Sequence, residues 1–331
     1  MREVVIGSAS DPMRDADRLK IISGTANQQL AQDICAFLGH PLGAVEIRRF
    51  PDLEVDIKVG EDVRGCDVFV VQPTCPPANE QLMELLLMID CLRRASAQRI
   101  TAVLPYYGYA RKDRKDEGRV PISAKLVANL ITTAGANRVL TVDLHAAQIQ
   151  GFFDIPVDHL YARPVFLERL RRFGDLKNMI VVSPDVGGVK MARAYAKALG
   201  DAPLAIVDKR RISGEQTVVE AVIGDVKGRD VVLIDDMIST AGSITEAVRI
   251  VRRHGAERVI VAATHGVFCG PAIERLRSCE AEAIFVTDTI PQRADLVPNL
   301  EVVSVAKLLA RAIWNIHHAK SVSSLFEDDP H

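Results

Sequence analysis

The sequence contains no C-x-x-C pair, and its six cysteines, at positions 35, 66, 75, 91, 269 and 279, follow no zinc-ligand spacing. Several sit in apolar runs, where a thiol behaves as a small buried hydrophobe. Neither charge dominates: the 331-residue chain carries a net −2, so no broad basic field exists to draw in nucleic acid or an anionic membrane. No apolar run is long enough to cross a bilayer, and the most apolar one, 82–92, is broken by Glu84 and Asp90. Residues 1–20 carry Arg2, Asp11, Asp15 and Asp17 and no apolar core, so no secretory leader is expected there. No G-x-x-x-x-G-K-[ST] string occurs, so any ATP is held without a P-loop. These absences leave a soluble, reduced, cytoplasmic protein as the expectation, with no nucleic-acid or membrane partner.

What is present is a regular alternation. Short apolar runs such as Val68–Val71, Ile100–Leu104, Val139–Val142, Ile180–Val182, Val231–Ile234 and Val259–Val261 are separated by amphipathic stretches of helical length. Near-continuous apolar runs fit strands covered on both faces, so the fold class is α/β with mostly parallel sheets flanked by helices.

The pattern occurs twice. Gly65-Cys66-Asp67-Val68-Phe69-Val70-Val71 matches Gly228-Arg229-Asp230-Val231-Val232-Leu233-Ile234, and Arg99-Ile100-Thr101-Ala102-Val103 matches Arg258-Val259-Ile260-Val261-Ala262. In each half an earlier run ends at Ser23 or Ser183 and turns into a helix that closes at Leu38-Gly39 or Leu199-Gly200, where glycine suits a left-handed cap. Matched elements in the same order indicate tandem, duplicated domains. The expected division is an extension at 1–20, a first domain at 21–162 completed by 308–331, and a second at 163–307. The halves differ after the matched strand, where the first has Gln72-Pro73 and the second Asp235-Asp236.

From Asp235-Asp236 the chain continues through Met237, Ile238, Ser239, Thr240, Ala241, Gly242 and Ser243 into a helix. A turn of small residues between strand and helix exposes backbone N–H groups at the positive helix end and binds anions. Two carboxylates there repel a phosphate unless they face sugar hydroxyls or magnesium. A small phosphorylated sugar satisfies both ends; an N-capped turn with surface acids is the alternative. Asp143 and His145 follow another strand end and are expected in the crevice at the sheet's carboxyl edge. Asp185, in Ser183-Pro184-Asp185-Val186-Gly187-Gly188, fits an N-cap as readily as a ligand.

The loop resembles the phosphoribosyl-binding loop of the type I phosphoribosyltransferase fold. With Asp143-Leu144-His145-Ala146-Ala147-Gln148-Ile149-Gln150-Gly151-Phe152-Phe153-Asp154-Ile155-Pro156-Val157-Asp158, the chain resembles the ribose-phosphate diphosphokinase family from about Ile21 to Phe326. That resemblance implies transfer of the diphosphoryl group of Mg-ATP to the 1-hydroxyl of ribose 5-phosphate. It assigns Asp235, Asp236, Ser239, Thr240, Ala241, Gly242 and Ser243 to ribose 5-phosphate, and His145 and Asp185 to Mg2+. It assigns Phe50, Asp52, Leu53, Glu54, Arg111 and Lys112 to ATP, with tyrosine or phenylalanine nearby to stack on the base, and Lys209 and Arg211 to catalysis on a flap at 212–218. It further implies a homohexamer with a regulatory phosphate or ADP site at Arg64, Ser321 and Ser323. Pro51, Leu53 and Lys112 depart from the family's usual segments. So does Ser239, where the family commonly carries aspartate, and Ala241 matters only if its position requires positive φ. A nucleobase phosphoribosyltransferase and a non-catalytic regulatory partner of the synthetase are the competing readings.

Overall fold

Runs of valine, isoleucine and leucine build two sheets in the computed structural model, which describes residues 18–173, 176–211 and 218–325. The first half contains strands β1 (Leu19–Ser23), β2 (Val45–Arg49), β3 (Val55–Val59), β4 (Asp67–Val71), β5 (Arg99–Leu104), β6 (Arg138–Val142) and β7 (Val157–Leu160). Helices α1 (Gln28–Leu38), α2 (Ala78–Arg94) and α3 (Ser123–Ala134) connect them. Its parallel sheet runs β1-β4-β5-β6-β7, while β2 and β3 form a separate antiparallel hairpin. The second half, after α4 (Arg163–Leu170), contains β8 (Met179–Ser183), α5 (Val189–Ala198), β9 (Leu204–Arg211) and β10 (Val218–Ile223). It continues with β11 (Asp230–Ile238), α6 (Gly242–Arg253), β12 (Arg258–Gly266), α7 (Ala272–Arg277), β13 (Ala283–Thr287), β14 (Leu300–Val303) and α8 (Ala306–His317). The second sheet runs β10-β9-β8-β11-β12-β13-β14.

Element for element the halves match, and β8-β11-β12-β13-β14 repeats β1-β4-β5-β6-β7. The hairpin of each half lies between its first helix and its central strand; it stands apart in the first half and joins the sheet edge in the second. The repeat extends to single residues. Gly65 and Gly228 turn at φ 68° and 67°. Asp67 and Asp230, buried at the start of the central strands, each take a forked ion pair from the arginine opposite, Arg99 or Arg258.

All five residues of β4 are buried, as its unbroken apolar sequence requires. Helix α1 presents Leu30, Ala31, Ile34 and Cys35 on one face, and that face packs against α8 from the far end of the chain. Arg99 Nη2 donates to the Ile316 carbonyl (3.0 Å) and His317 Nδ1 meets Asp67 Oδ2 (2.8 Å), which ties α8 to the first half. Val322 and Leu325 of the following tail pack on the same core. Conversely, α4 leaves the first half and packs on α5 and β14, with Arg169 paired to Glu301.

In an open parallel sheet, ligands bind beyond the carboxyl ends of the strands, where the chain's winding direction reverses. That point falls between β8 and β11 in the second half; the first sheet runs from β1 to β7 without a reversal, and its matching junction is that of β1 and β4.

Candidate active site

Strand β11 is longer than the apolar run Val231–Ile234. It continues through Asp235, Asp236 and Met237 to Ile238, because β12 also runs on to Gly266 and pairs with it (Asp235↔Ala263, Met237↔His265, Ile238↔Gly266). The two aspartates therefore lie on a strand end rather than in a loop, and successive strand residues face opposite sides. The loop proper shrinks to Ser239, Thr240 and Ala241, and α6 starts at Gly242. Ala241 does occupy the left-handed region (φ 61°, ψ 2°), a conformation that costs a residue with a Cβ ~1–2 kcal/mol. Its methyl group is buried in the second half's core, which partly offsets that cost.

The loop's carbonyls are taken up from behind. Cys269 N–H donates to Ser239 O (3.0 Å) and Arg275 Nη1 to Thr240 O (3.0 Å), while Thr245 Oγ1 donates to Ala241 O (2.8 Å). Among the described residues, the N–H groups of Thr240, Ala241 and Gly242 donate to no backbone carbonyl, and α6 has no side-chain cap. Uncapped N–H groups at a helix start form an anion site. Ser239 Oγ lies 3.2 Å from Cys269 Sγ and 3.4 Å from Arg111 Nη1, which reaches over from the first half.

The two halves also meet at His145, whose Nδ1 is 2.6 Å from Asp236 Oδ2. Asp236 raises the His145 pKa above its ordinary value through this hydrogen bond. Burial opposes ionisation of Asp236, yet the hydrogen bond and charge of His145 outweigh it and hold that carboxyl below the usual range. Asp235 goes the other way: burial first, then the charge of Asp236, pushes it up to about 8. The charge of one neighbouring carboxylate disfavours ionisation of the other, so the half-buried pair calls for a cation or for donor hydroxyls.

A cleft of about 1020 Å³ opens between the halves, with Arg111, His145, Asp185, Gly188, Asp235 and Asp236 in its wall. Asp185 Oδ1 accepts from Gly188 N–H (2.9 Å), which closes the turn before α5; the N-cap position itself is Gly188, without a side-chain cap, so Asp185 is not the N-cap, and it also faces the cleft. A Cβ on Gly188 would stand 2.7 Å from Ser183 Oγ, so this tight turn demands glycine.

Other expected residues lie elsewhere. Phe50, Asp52, Leu53 and Glu54 form the exposed turn joining β2 and β3, closed by Phe50 N–H to Glu54 O (2.9 Å), and none of them lines the cleft. Lys112 pairs with Asp116 (2.8 Å) and is likewise outside the cleft wall. Tyr106 and Tyr107 are buried and so unavailable to a nucleotide base, whereas Tyr109 and Phe50 are exposed. Asp143 contributes to the cleft wall, as expected, but is not free in it. It is buried and accepts from Ala162 N–H (2.9 Å) and Thr264 Oγ1 (2.7 Å). Arg64, Ser321 and Ser323 are exposed, away from the cleft wall. Strand β9 extends through Lys209 to Arg211 and pairs Lys209 with Glu220 of β10. The side chains of Lys209 and Arg211, and residues 212–217 of the expected flap, lie outside the described residues.

The cleft adds residues not expected from the sequence, among them His159, Tyr161, Arg163 and Lys190. His159 Nε2 accepts from Leu144 N–H (2.9 Å), and burial depresses its pKa to about 4, so it is a neutral wall. Lys190 was legible in principle: a cation in the first turn of a helix opposes the helix dipole, and here it stands two residues after the Gly187-Gly188 turn.

Residues 19–135 match the model of the N-terminal domain of ribose phosphate pyrophosphokinase, and residues 205–327 that of the phosphoribosyl synthetase-associated domain. The chain is 59% identical over 315 residues to a ribose-phosphate pyrophosphokinase of Rhodopirellula baltica, covering 94% of this chain and 99% of that one. It is 56% identical over 316 residues to ribose-phosphate pyrophosphokinase 1 of Spinacia oleracea, covering 95% and 94%. Among solved structures, phosphoribosylpyrophosphate synthetase from Mycobacterium smegmatis matches with a TM-score of 0.87 at 46% identity, over 91% of this chain and 99% of that one.

Proposed function

The chain belongs to the ribose-phosphate pyrophosphokinase family, and we propose that it converts Mg-ATP and ribose 5-phosphate into 5-phosphoribosyl 1-diphosphate and AMP. The observation that carries the residue assignment is the convergence of the two halves on one cleft, Arg111 on Ser239 and His145 on Asp236. The 1-hydroxyl oxygen of the sugar forms a bond to the β-phosphorus as the bond from that phosphorus to the α-phosphoryl oxygen breaks. AMP leaves and the hydroxyl proton is lost. Such transfers depend on positioning and charge stabilisation more than on covalent work by the protein.

Ser239–Ser243 bind the 5-phosphate through the uncapped N–H groups and hydroxyls at the start of α6. Asp235 and Asp236, on the adjoining strand end, hold the sugar hydroxyls. Arg111 spans from the nucleotide side to the phosphate loop, and Lys209 and Arg211 offset charge on the transferring group. The exposed turn Phe50–Glu54 and Lys112 are assigned to ATP on the resemblance alone, as are Arg64, Ser321 and Ser323 to regulatory phosphate or ADP.

Among the described residues, no group of three or more His, Cys, Asp or Glu is placed to hold a metal by itself. Magnesium retains waters and substrate phosphates and needs only one or two carboxylates, and the mutual opposition of Asp235 and Asp236 supplies the negative field it favours. The residues therefore fit Mg2+, with Asp185 and His145 holding it alongside ATP oxygens. When bound, it neutralises polyphosphate charge.

The packing of α8 on α1, and of α4 on α5 and β14, supports the division expected from the sequence, 21–162 completed from 308 onward and 163–307 as the second domain. Assembly into hexamers is carried over from the resemblance. Six free cysteines suit the cytoplasm or another reducing compartment.

The test follows AMP release from Mg-ATP with and without ribose 5-phosphate. Sugar-dependent AMP is expected. Absent or sugar-independent AMP rejects the reading, and sugar-dependent ADP rejects β-transfer alone.

A further inference from the structure

His265 is buried on β12, in register with Met237 beside Asp236. Its Nε2 lies 3.0 Å from the Asp143 carbonyl oxygen and its Nδ1 2.9 Å from Thr289 Oγ1. A carbonyl brings no proton, so Nε2 donates to it; Nδ1 stands beside the Thr289 hydroxyl, which also reaches the Thr264 carbonyl (3.2 Å). Thr264, the preceding residue, donates to the Asp143 carboxyl. Two consecutive residues of the second half thus hold both polar ends of one residue of the first.

Asp143 has φ 38°, and a non-glycine residue stays in the left-handed region only where its surroundings over-determine it. The first half contributes Leu160 O to Asp143 N–H (2.9 Å), Ala162 N–H to its carboxyl and His159 to Leu144 N–H. Those contacts fix the turn within its own half. Thr264 and His265 fix it relative to β11. The Tyr106 ring, in a T-shaped contact with His265 at 5.0 Å between ring centroids, and a small apolar cluster of Cys75, Tyr106 and Ile290 flanked by Met237 and Val267, pack the same junction. Two residues beyond Asp143 stands His145, against Asp236.

We propose that His265 is a positioning residue for the transfer reaction: by gripping the Asp143 carbonyl it sets the turn that aligns His145 with Asp236 across the two halves. This rests on the reading that His145 acts in the transfer. His265 is buried and does not line the cleft, so its loss misplaces a reacting constellation rather than removing a ligand, and a misplacement of ~1 Å costs on the order of 10²-fold.

The experiment is a double-mutant cycle on the full chain, with kcat, both KM values and thermal unfolding measured for His265→Leu, His265→Gln, His145→Ala and His145→Ala combined with His265→Leu. His265→Leu is expected to lower kcat ~10- to 10²-fold with each KM within about threefold. Glutamine carries an amide donor of similar reach and should restore kcat to within about threefold of wild type. In the His145→Ala background the leucine change should have no further effect on residual turnover, since coupled residues are non-additive. Should His265→Leu fail to fold, His265→Asn, polar but too short to reach the carbonyl, takes its place. Additive losses in the double variant, or normal kcat in the leucine or asparagine variant, overturn the proposal while leaving the function intact. Full turnover by His145→Ala overturns the assignment of His145 and this proposal with it.

Discussion

The junctions of β1 with β4 and of β8 with β11 are built from matching elements and end in opposite states. In the first half, Glu84 reaches from α2 into the turn after β1 and accepts from Thr25 N–H (2.5 Å), Thr25 Oγ1 (2.8 Å) and Gln72 Nε2 (2.8 Å). Gln72 Oε1 takes Ala26 N–H (3.2 Å). A Cβ on Gly24 would collide with both side chains. This crevice is filled by the protein's own carboxylate and amide. In the second half, Gly187, Gly188, Asp235 and Asp236 line an open cleft instead. Duplication supplied two potential anion sites. One became part of the scaffold, and the other retained the polar groups a ligand satisfies.

The largest predicted effect falls in the second half alone. Lys209→Ala or Arg211→Ala should lower kcat by at least ~10²-fold with smaller changes in KM, as for other preorganised charge stabilisers. Steady-state kinetics check this, and near-normal turnover in both would remove the second half's claim to the chemistry.

Glu84→Ala addresses the first half. The two Thr25 donors lose their acceptor and Gln72 Nε2 keeps only Gln81, at ~1–3 kcal/mol for each donor left buried and unpaired. Thermal and denaturant unfolding should show a loss of about 2 kcal/mol or more, while the KM for ribose 5-phosphate changes less than about twofold. A raised KM with unchanged stability would mean the filled crevice binds substrate.

A subtler contrast concerns the matched ion pairs. For Asp67, burial works against the charge but the hydrogen bonds of His317 and Arg99 outweigh it, whereas Asp230 is lowered chiefly by Arg258. Both folded pKa values lie below the ordinary value near ~3.9, so the stability each carboxylate contributes is present above that value and lost as pH falls through the folded one. Asp67→Asn should cost more than Asp230→Asn, about 2 against about 1 kcal/mol after allowing for arginines one-third exposed. The extra cost arises because Asp67 also holds α8 through His317. Melting curves from pH 7 to 3 check it: each variant's deficit should shrink below pH ~4.

Smallest is Ser239→Ala. It removes one hydroxyl from the phosphate loop and the partner of Arg111, worth ~0.5–1.5 kcal/mol. The KM for ribose 5-phosphate should rise about three- to tenfold with kcat little changed. A kcat collapse instead would make Ser239 part of the transfer chemistry.

Much of this was legible locally. The strands showed as unbroken apolar runs, the repeat as paired Gly-x-Asp and arginine positions, and the phosphate loop as small residues between strand and helix. The contacts that make a site were not. His145 and Asp236 are 91 residues apart, and Arg111 and Ser239 are 128 apart, so only the packing of the halves pairs them. Asp143, two residues before His145, was expected in the crevice, but the contacts that hold its carboxyl come from Ala162 and the distant Thr264. The hairpin strands Val45–Arg49 and Val55–Val59 do alternate apolar with polar residues, a signal of half-buried strands, yet the segment between them drew attention as a nucleotide contact. Persistence of β11 through two aspartates depends on a partner strand, which no local pattern reports.

The central claim is one open site per chain, in the second half. Calorimetric titration of ribose 5-phosphate, with magnesium and an ATP analogue that cannot transfer its diphosphoryl group, tests it directly. The account predicts one sugar bound per chain, unchanged by Glu84→Ala and weakened at least about tenfold by Asp236→Ala. Two sugars per chain, or binding indifferent to Asp236, would contradict it.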